Sequence, residues 1–466
     1  MKILMLKFFV LIAVVGRIAA AENTAPNFIV IMAEAQGWPN TSVMMDDKLP
    51  ASKSAVFQTP ALERLAREGM RFAYGYALSP RCTPSRAALF TGIGPAALHM
   101  TYVGLGRVEG APRTALLPPE PVMELPQSVA TLAELLKGAG YTTAHFGKWH
   151  VGRVDPAQHG FDASDGATGN GGPDNVASPN PKQAYGMTER GIAFMQAAQK
   201  AGKSFYLQLS HYPNQERKAG GGGGGRGRDT ERNDADEIDK TVTQVLAALD
   251  RLGLTERTYV IYTSDHGGQG RNGNEPLSGG KGSVLEGGLR VPFLIRGPGV
   301  TANVCSRVPV TACDILPTIA ALAGLPAPPP AAVEGGSLVN VLRDPAGQGV
   351  VVRKREELVF HFPHYDLGNG GPATAIILGK YKLIRNYEKN SRRLYDLERD
   401  PSESHDLAVK LPEITDKLAA RLDAYLKDVN AQMALPNPNY DPNKAEDPEV
   451  DERRGGKGGK QGKKRA

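Results

Sequence analysis

Arg81-Cys82-Thr83-Pro84-Ser85-Arg86-Ala87-Ala88-Leu89-Phe90-Thr91-Gly92 is the stretch on which the reading of this chain turns. Proline is tolerated in the first turn of a helix, where an N–H has no partner to lose. Pro84 therefore predicts a helix start, with Cys82 just ahead of it and Ser85 and Arg86 in the first turn. A side chain there meets unpaired backbone N–H groups, the positive end of the helix and a guanidinium, which together favour an anionic group at the reacting atom. A lone cysteine ordinarily reads as a small buried hydrophobe. Its neighbours decide whether it is more than that.

Outward from this helix, strands and helices alternate. Phe28-Ile29-Val30-Ile31-Met32 is a continuous apolar run, as expected of a strand buried on both faces. Thr59-Pro60 opens a helix that runs to Glu68 and stops at Gly69. Val129 to Ala139 is predicted as a helix closed by Gly140, with a strand over Tyr141–Phe146 after it. Phe205–Leu209 and Thr258–Thr263 are further strands, Asp236–Leu252 is an amphipathic helix, and Asp314–Ala323 is another helix. This alternation predicts an α/β fold: a large, mostly parallel sheet flanked by helices. From about Leu358 the runs shorten, as in an antiparallel sheet, and Leu411–Val429 reads as a closing helix. The expected organisation is a signal peptide over 1–21, an α/β catalytic domain over 22–345, a smaller C-terminal α+β domain over 346–435 and a disordered basic tail over 436–466. Gly220–Gly225 is expected to be a flexible loop within the large domain.

The chain has 466 residues and a formal charge of +6. Lys2, Lys7 and Arg17 supply three of those charges, and the segment from Lys444 onward, with eight basic and five acidic residues, supplies the rest. The body is thus close to neutral, so no nucleic-acid partner is indicated. Met1-Lys2, the apolar run Ile3–Val15 and Ala19-Ala20-Ala21 form a secretory pattern with cleavage expected after Ala21. The run is shorter than the ~20 residues that span a bilayer, so no stable membrane anchor is expected, and the protein is expected to be exported to the periplasm or beyond. Of the three cysteines, Cys305 and Cys313 are a possible pair, which leaves Cys82 alone.

Ligands of open parallel sheets bind beyond the carboxyl ends of the strands. Glu34 follows the first strand, Lys148 and His150 follow Phe146, His211 follows Leu209, and Asp265 and His266 follow Thr263. Each alone reads equally as a solvated lysine, a structural histidine or a capping acid; their convergence on one edge argues for a site. Gly279-Gly280-Lys281-Gly282-Ser283 adds a glycine-dense approach and a fixed cation, although the phosphate-loop spacing is absent.

Cys82-x-Pro84-Ser85-Arg86-x-x-x-x-Thr91-Gly92 resembles the motif of the sulfatase family. Gly147-Lys148-Trp149-His150, Thr263-Ser264-Asp265-His266-Gly267, Gly280-Lys281-Gly282 to Arg290-Val291-Pro292 and Gly379-Lys380-Tyr381-Lys382-Leu383-Ile384 are similar to further family segments. The resemblance covers about Pro26 to Gly324 and parts of the C-terminal region, and it implies an alkaline-phosphatase-like fold. It also implies that a maturation enzyme oxidises Cys82 to formylglycine, whose hydrate attacks the sulfur of a sulfate ester. On that reading Arg86 holds the diol, His150 is the base with Lys148 beside it, and His211 and Lys281 contact the sulfate and leaving group. A divalent cation, with calcium the implied ion, would be held by Glu34, Asp265, His266 and the modified Cys82. The implied substrate is a sulfated carbohydrate or an aryl sulfate. The sequence departs from the family where two adjacent aspartates are usual: here stand Glu34 and Ala35, and Asp46 and Asp47 could compensate or be a solvated loop pair. Three other readings stay open. One is a phosphonate or phosphodiester hydrolase on the same nucleophile, one a non-catalytic sulfatase-like binding protein, and one a thiolate hydrolase activated by the helix start and Arg86.

Overall fold

The computed structural model describes residues 25–104, 114–170, 182–212, 228–269, 273–325, 330–366 and 370–443. The expected signal peptide, the loop at Gly220–Gly225 and the segment from Lys444 onward lie outside the described residues.

Eight strands form the main sheet: β1 (Asn27–Ala33), β2 (Met70–Phe72), β3 (Thr142–Gly147), β4 (Ala163–Ser164), β5 (Phe205–Ser210), β6 (Thr258–Ser264), β7 (Leu294–Arg296) and β8 (Val304–Ser306). Their order is β8-β2-β7-β6-β1-β5-β3-β4. Only β7 runs antiparallel to its neighbours β2 and β6. The fold is therefore α/β with a mostly parallel sheet.

Central β1 shows why a continuous apolar run was required. Phe28, Val30 and Met32 enter one core, while Ile29, Ile31 and Ala33 enter the other, because successive strand side chains point to opposite faces. Each of the larger side chains among these, fully removed from water, contributes about 1.5–3 kcal/mol. The first core is covered by α2 (Cys82–Thr91), α3 (Leu132–Gly138) and α6 (Ile315–Leu322). The second is covered by α1 (Pro60–Glu68), α4 (Lys182–Lys200) and α5 (Arg228–Leu252).

The structure moves several boundaries, among them the start of α5, which lies at Arg228 and not Asp236. Helix α2 begins at Cys82, with Arg81 as its N-cap, so the cysteine is inside the first turn and not ahead of it. Helix α3 begins at Leu132, not Val129, because Thr131 and Glu134 form a capping box whose side chains and backbones bond reciprocally. The expected tail boundary at 436 falls within a two-strand ribbon, Leu435–Pro436 against Leu116–Leu117.

The possible Cys305–Cys313 pair is not formed. Cys305 lies on edge strand β8 with its sulfur 3.5 Å from the Met45 carbonyl, and Cys313 is buried with its sulfur 3.9 Å from the Ala88 carbonyl. All three cysteines are free.

A second, antiparallel sheet is formed in sequence order by β9 (Leu358–Phe362), β10 (Ala373–Leu378), β11 (Tyr381–Asn386) and β12 (Ser391–Asp396). Helix α7 (Pro412–Asp428) covers one face through Leu418, Leu422 and Tyr425. The opposite face, with Phe360, Phe362 and Ile377, packs on Tyr76, Val284 and Leu289 beside the Lys281 loop. Among the described residues, no helix is long and apolar enough to cross a membrane.

Candidate functional site

Strand registers align the carboxyl ends of β1, β5, β3 and β6. Met32 pairs with Ser210, Gly147 with Ser210, and Ala33 with Ser264. Glu34, Lys148, His211 and Asp265 therefore leave the sheet along one edge, above which α2 presents its first turn. Two glycines allow this closeness. A Cβ on Gly147 would sit 1.9 Å from the Ser210 carbonyl oxygen, and one on Gly267 would sit 1.8 Å from that of Gly287.

Arg86 organises the site from beneath. Fully buried, it donates to the Lys148 carbonyl at 2.8 Å and to Glu34 Oε2 and Asp265 Oδ2, both at 2.9 Å. Lys148 Nζ, also buried, donates to the same Glu34 oxygen at 2.9 Å. Each carboxylate thus has one oxygen fixed from below and one turned toward Cys82. Glu34 Oε1 lies 3.4 Å from Cys82 Sγ, and Asp265 Oδ1 accepts from the Ala35 N–H at 3.0 Å. His266 Nδ1 is 2.9 Å from the Gly267 carbonyl, which can only accept, so Nδ1 carries the proton. The lone pair of Nε2 then faces Cys82 Sγ at 3.2 Å. Lys281 Nζ stands 3.7 Å from Glu34 Oε1 and 3.9 Å from Cys82 Sγ. Its loop is pinned by backbone bonds from Lys281 to Gly268 and from Gly282 to Pro80.

The electrostatics follow from burial opposed by these cations. Burial alone would raise the Glu34 carboxyl, but Lys148, Lys281 and Arg86 hold it well below the ordinary value. Asp265 is pushed up to about 6 by burial and by the neighbouring Glu34 charge. Burial and Glu34 oppose ionisation of the Cys82 thiol, yet the ammonium groups of Lys148 and Lys281 bring it well below its usual value. Burial opposes the charge on Lys148, but Cys82 and Glu34 more than offset this and raise it. His150 is lowered, chiefly by burial, with a hydrogen bond to Cys82 acting against the shift. Thr83 Oγ1 donates to the His150 carbonyl at 2.7 Å and so ties the histidine to the Cys82 helix. The Nδ1 atom of His150 is buried without a partner.

Cys82, Arg86, Lys148, His150, Lys281, Glu34, Asp265 and His266 are thus brought together. The ring of His211 is not, contrary to expectation. Its Nε2 pairs with Thr241 Oγ1 at 2.8 Å and its Nδ1 lies 3.4 Å from the Met32 carbonyl, while burial lowers it to about 4. Only its carbonyl reaches Arg86, at 3.5 Å. Asp46 and Asp47 do not compensate for Ala35 either: they pair with Arg307 and Arg71, on another side of the sheet end. The sequence reading passed over Thr83, although it stands in the motif itself, and Asp366 of the C-terminal region, which pairs with Arg81 next to Cys82.

Glu34, Cys82, Asp265 and His266 offer four ligand atoms within 4.8 Å of one another, an arrangement that could hold a divalent ion. The donors fit such an ion in chemistry as well, being two carboxylate oxygens, an unprotonated imidazole nitrogen and the atom at position 82.

The sulfatase family profile matches residues 26–325, and a profile described as N-sulphoglucosamine sulphohydrolase, C-terminal, matches residues 280–432. The chain belongs to the sulfatase family. It is a sulfuric ester hydrolase by that membership. An N-acetylgalactosamine-6-sulfatase of Mus musculus is 30% identical over 423 residues, covering 81% of this chain and 75% of that protein. A sulfatase of Formosa agariphila is 28% identical, covering 89% and 91%. Among solved structures, Ps i-CgsB in complex with k-i-k-neocarrahexaose superposes with a TM-score of 0.70 at 22% identity, covering 86% of this sulfatase and 93% of that chain. That likeness confirms the fold.

Proposed function

We propose that this sulfatase is exported and hydrolyses sulfate esters of sugars, with a formylglycine made from Cys82 as its nucleophile. The observation that carries the reading is the place of Cys82: the first turn of a buried helix, its sulfur beside Glu34, His266 and Lys281, with Arg86 and Lys148 holding Glu34 from beneath. The sulfur marks where a hydroxyl of the formylglycine hydrate would stand. One hydroxyl attacks the ester sulfur, the S–O bond to the sugar breaks, and the proton released by the attacking hydroxyl leaves on the sugar oxygen. His150, neutral near pH 7 because burial lowers its basicity, then takes the proton of the second hydroxyl. The aldehyde re-forms as the C–O bond to sulfate breaks, and a water molecule adds to it to restore the diol. Lys281, the most accessible of the cations at 14% exposure, is placed to offset charge on the sulfate and leaving oxygen. Glu34, Asp265 and His266 would hold a divalent cation, which supplies further positive charge at the sulfate.

The relatives named for a sulfated amino sugar support a carbohydrate substrate, and the basic–apolar start of the sequence supports export by a secretory route. The test is turnover of an aryl sulfate and of an aryl phosphodiester with the same leaving group, by the native protein and by Cys82→Ala. Sulfate-ester turnover should dominate and fall by at least about 10³-fold in the variant. Dominant phosphodiester turnover, or an unaffected variant, would overturn the proposal.

A further inference from the structure

We infer that the site has a second metal-binding state. While Cys82 remains a thiol, Cys82, His266, Glu34 and Asp265 form a tetrahedral site for zinc or another thiophilic transition ion. Oxidation to formylglycine abolishes that site. The inference concerns the same residues as the proposed reaction but does not depend on turnover.

The site offers few oxygens to an ion. Glu34 and Asp265 each have one oxygen engaged by Arg86, and Lys148 doubles the hold on Glu34. Each therefore presents a single oxygen. Ala35 has no donor. Gln36 is committed too: its side-chain nitrogen donates to the Asn40 carbonyl at 3.0 Å, and its oxygen accepts from Tyr262. Calcium takes about 6–8 oxygens, of which these side chains supply two. One sulfur, one imidazole nitrogen and two carboxylate oxygens are instead a complete set for a four-coordinate zinc.

The spacing agrees. Sγ lies 3.2 Å from His266 Nε2 and 3.4 Å from Glu34 Oε1, while Nε2 lies 3.4 Å from Asp265 Oδ1 and 4.0 Å from Glu34 Oε1. Tetrahedral bonds of zinc to sulfur, nitrogen and oxygen place donors about 3.3–3.8 Å apart. The histidine is already in the ligating tautomer, fixed by the Gly267 carbonyl. Arg86, Lys148 and Lys281 already offset the two carboxylates, so an ion held here needs the further negative charge that a thiolate at position 82 supplies and Ala35 does not. Ion binding expels the thiol proton and forms a metal–sulfur bond. Formylglycine has no sulfur to offer.

The test is a cobalt(II) titration of the full-length protein made in a host without sulfatase maturation, followed by absorption spectroscopy. The expected result is one equivalent of bound cobalt with a sulfur-to-cobalt charge-transfer band and intense tetrahedral visible bands, displaced by zinc and not by calcium. A Cys305→Ser/Cys313→Ser variant should keep the band. Cys82→Ser should lose it and bind zinc about 100-fold more weakly; His266→Ala should keep a charge-transfer band at reduced affinity. Circular dichroism shows that each variant is folded. A folded native protein without the band, a band that survives Cys82→Ser, or displacement by calcium as readily as by zinc would overturn the inference. None of these outcomes depends on sulfate-ester turnover, so the two proposals fail separately.

Discussion

Ala35 is the residue at which this sulfatase departs most plainly from its family, and its backbone is as telling as its side chain. It sits at φ +53, in the left-handed region that alanine disfavours and that Asp and Asn enter more readily. The loop thus has the conformation suited to an aspartate while carrying a residue that cannot ligate. Ala35→Asp should therefore be accepted by the backbone and raise the calcium affinity of the formylglycine form by about tenfold or more, as measured by calorimetric titration. Unchanged affinity would mean that side chains at position 35 do not reach the ion. The motif, Lys148, His150 and the Glu34–Asp265–His266 donors were legible from sequence because each follows a strand or opens a helix at the same sheet edge, whereas Lys281 was picked out by the glycines around it and by the family resemblance. His211 was misread for a physical reason: it also follows a strand, but Thr241, on a helix remote in sequence, draws its ring away.

Elements were legible where one periodicity ruled, as in β1 and α5, and less so where a local bond decides. Val129 lost its place in a helix to the Thr131–Glu134 capping box. The start of α1 is another such case. Thr59 makes no side-chain cap; instead Asp239 of α5 accepts from the N–H groups of Ala61 and Leu62, both at 3.0 Å. A carboxylate from another helix satisfies the orphan donors and meets the positive end of α1. Asp239→Ala should then cost about 1–3 kcal/mol, read as a lower midpoint in chemical denaturation, with the sheet intact by circular dichroism. An unchanged midpoint would show the contact to be incidental.

Across the whole molecule, the C-terminal sheet is joined to the catalytic edge by a buried charge network invisible to any local reading. Lys382 of β11 bonds Glu286 at 2.9 Å and Glu403 at 2.8 Å, and Glu286 bonds Arg290, which stacks on Tyr74 with 4.5 Å to the ring centre. Glu286 closes the loop that carries Lys281, so the second sheet braces the site. Burial, with Glu286 beside it, pushes Glu403 up to about 7 against the opposing charge of Lys382. The folded state then holds a proton that the unfolded chain, titrating near 4.5, gives up earlier. This contribution to stability is fully present below about pH 4.5 and is lost as pH rises through about 7. Denaturation across that window should show the decline, and Glu403→Gln should flatten it; an unaltered slope would exclude Glu403 as its source.

The most direct measurement is peptide mass spectrometry across Cys82 in protein exported from a host that matures sulfatases. The account predicts a loss of about 18 Da relative to cysteine, the thiol-to-aldehyde change. An intact thiol at Cys82 in that protein would contradict it.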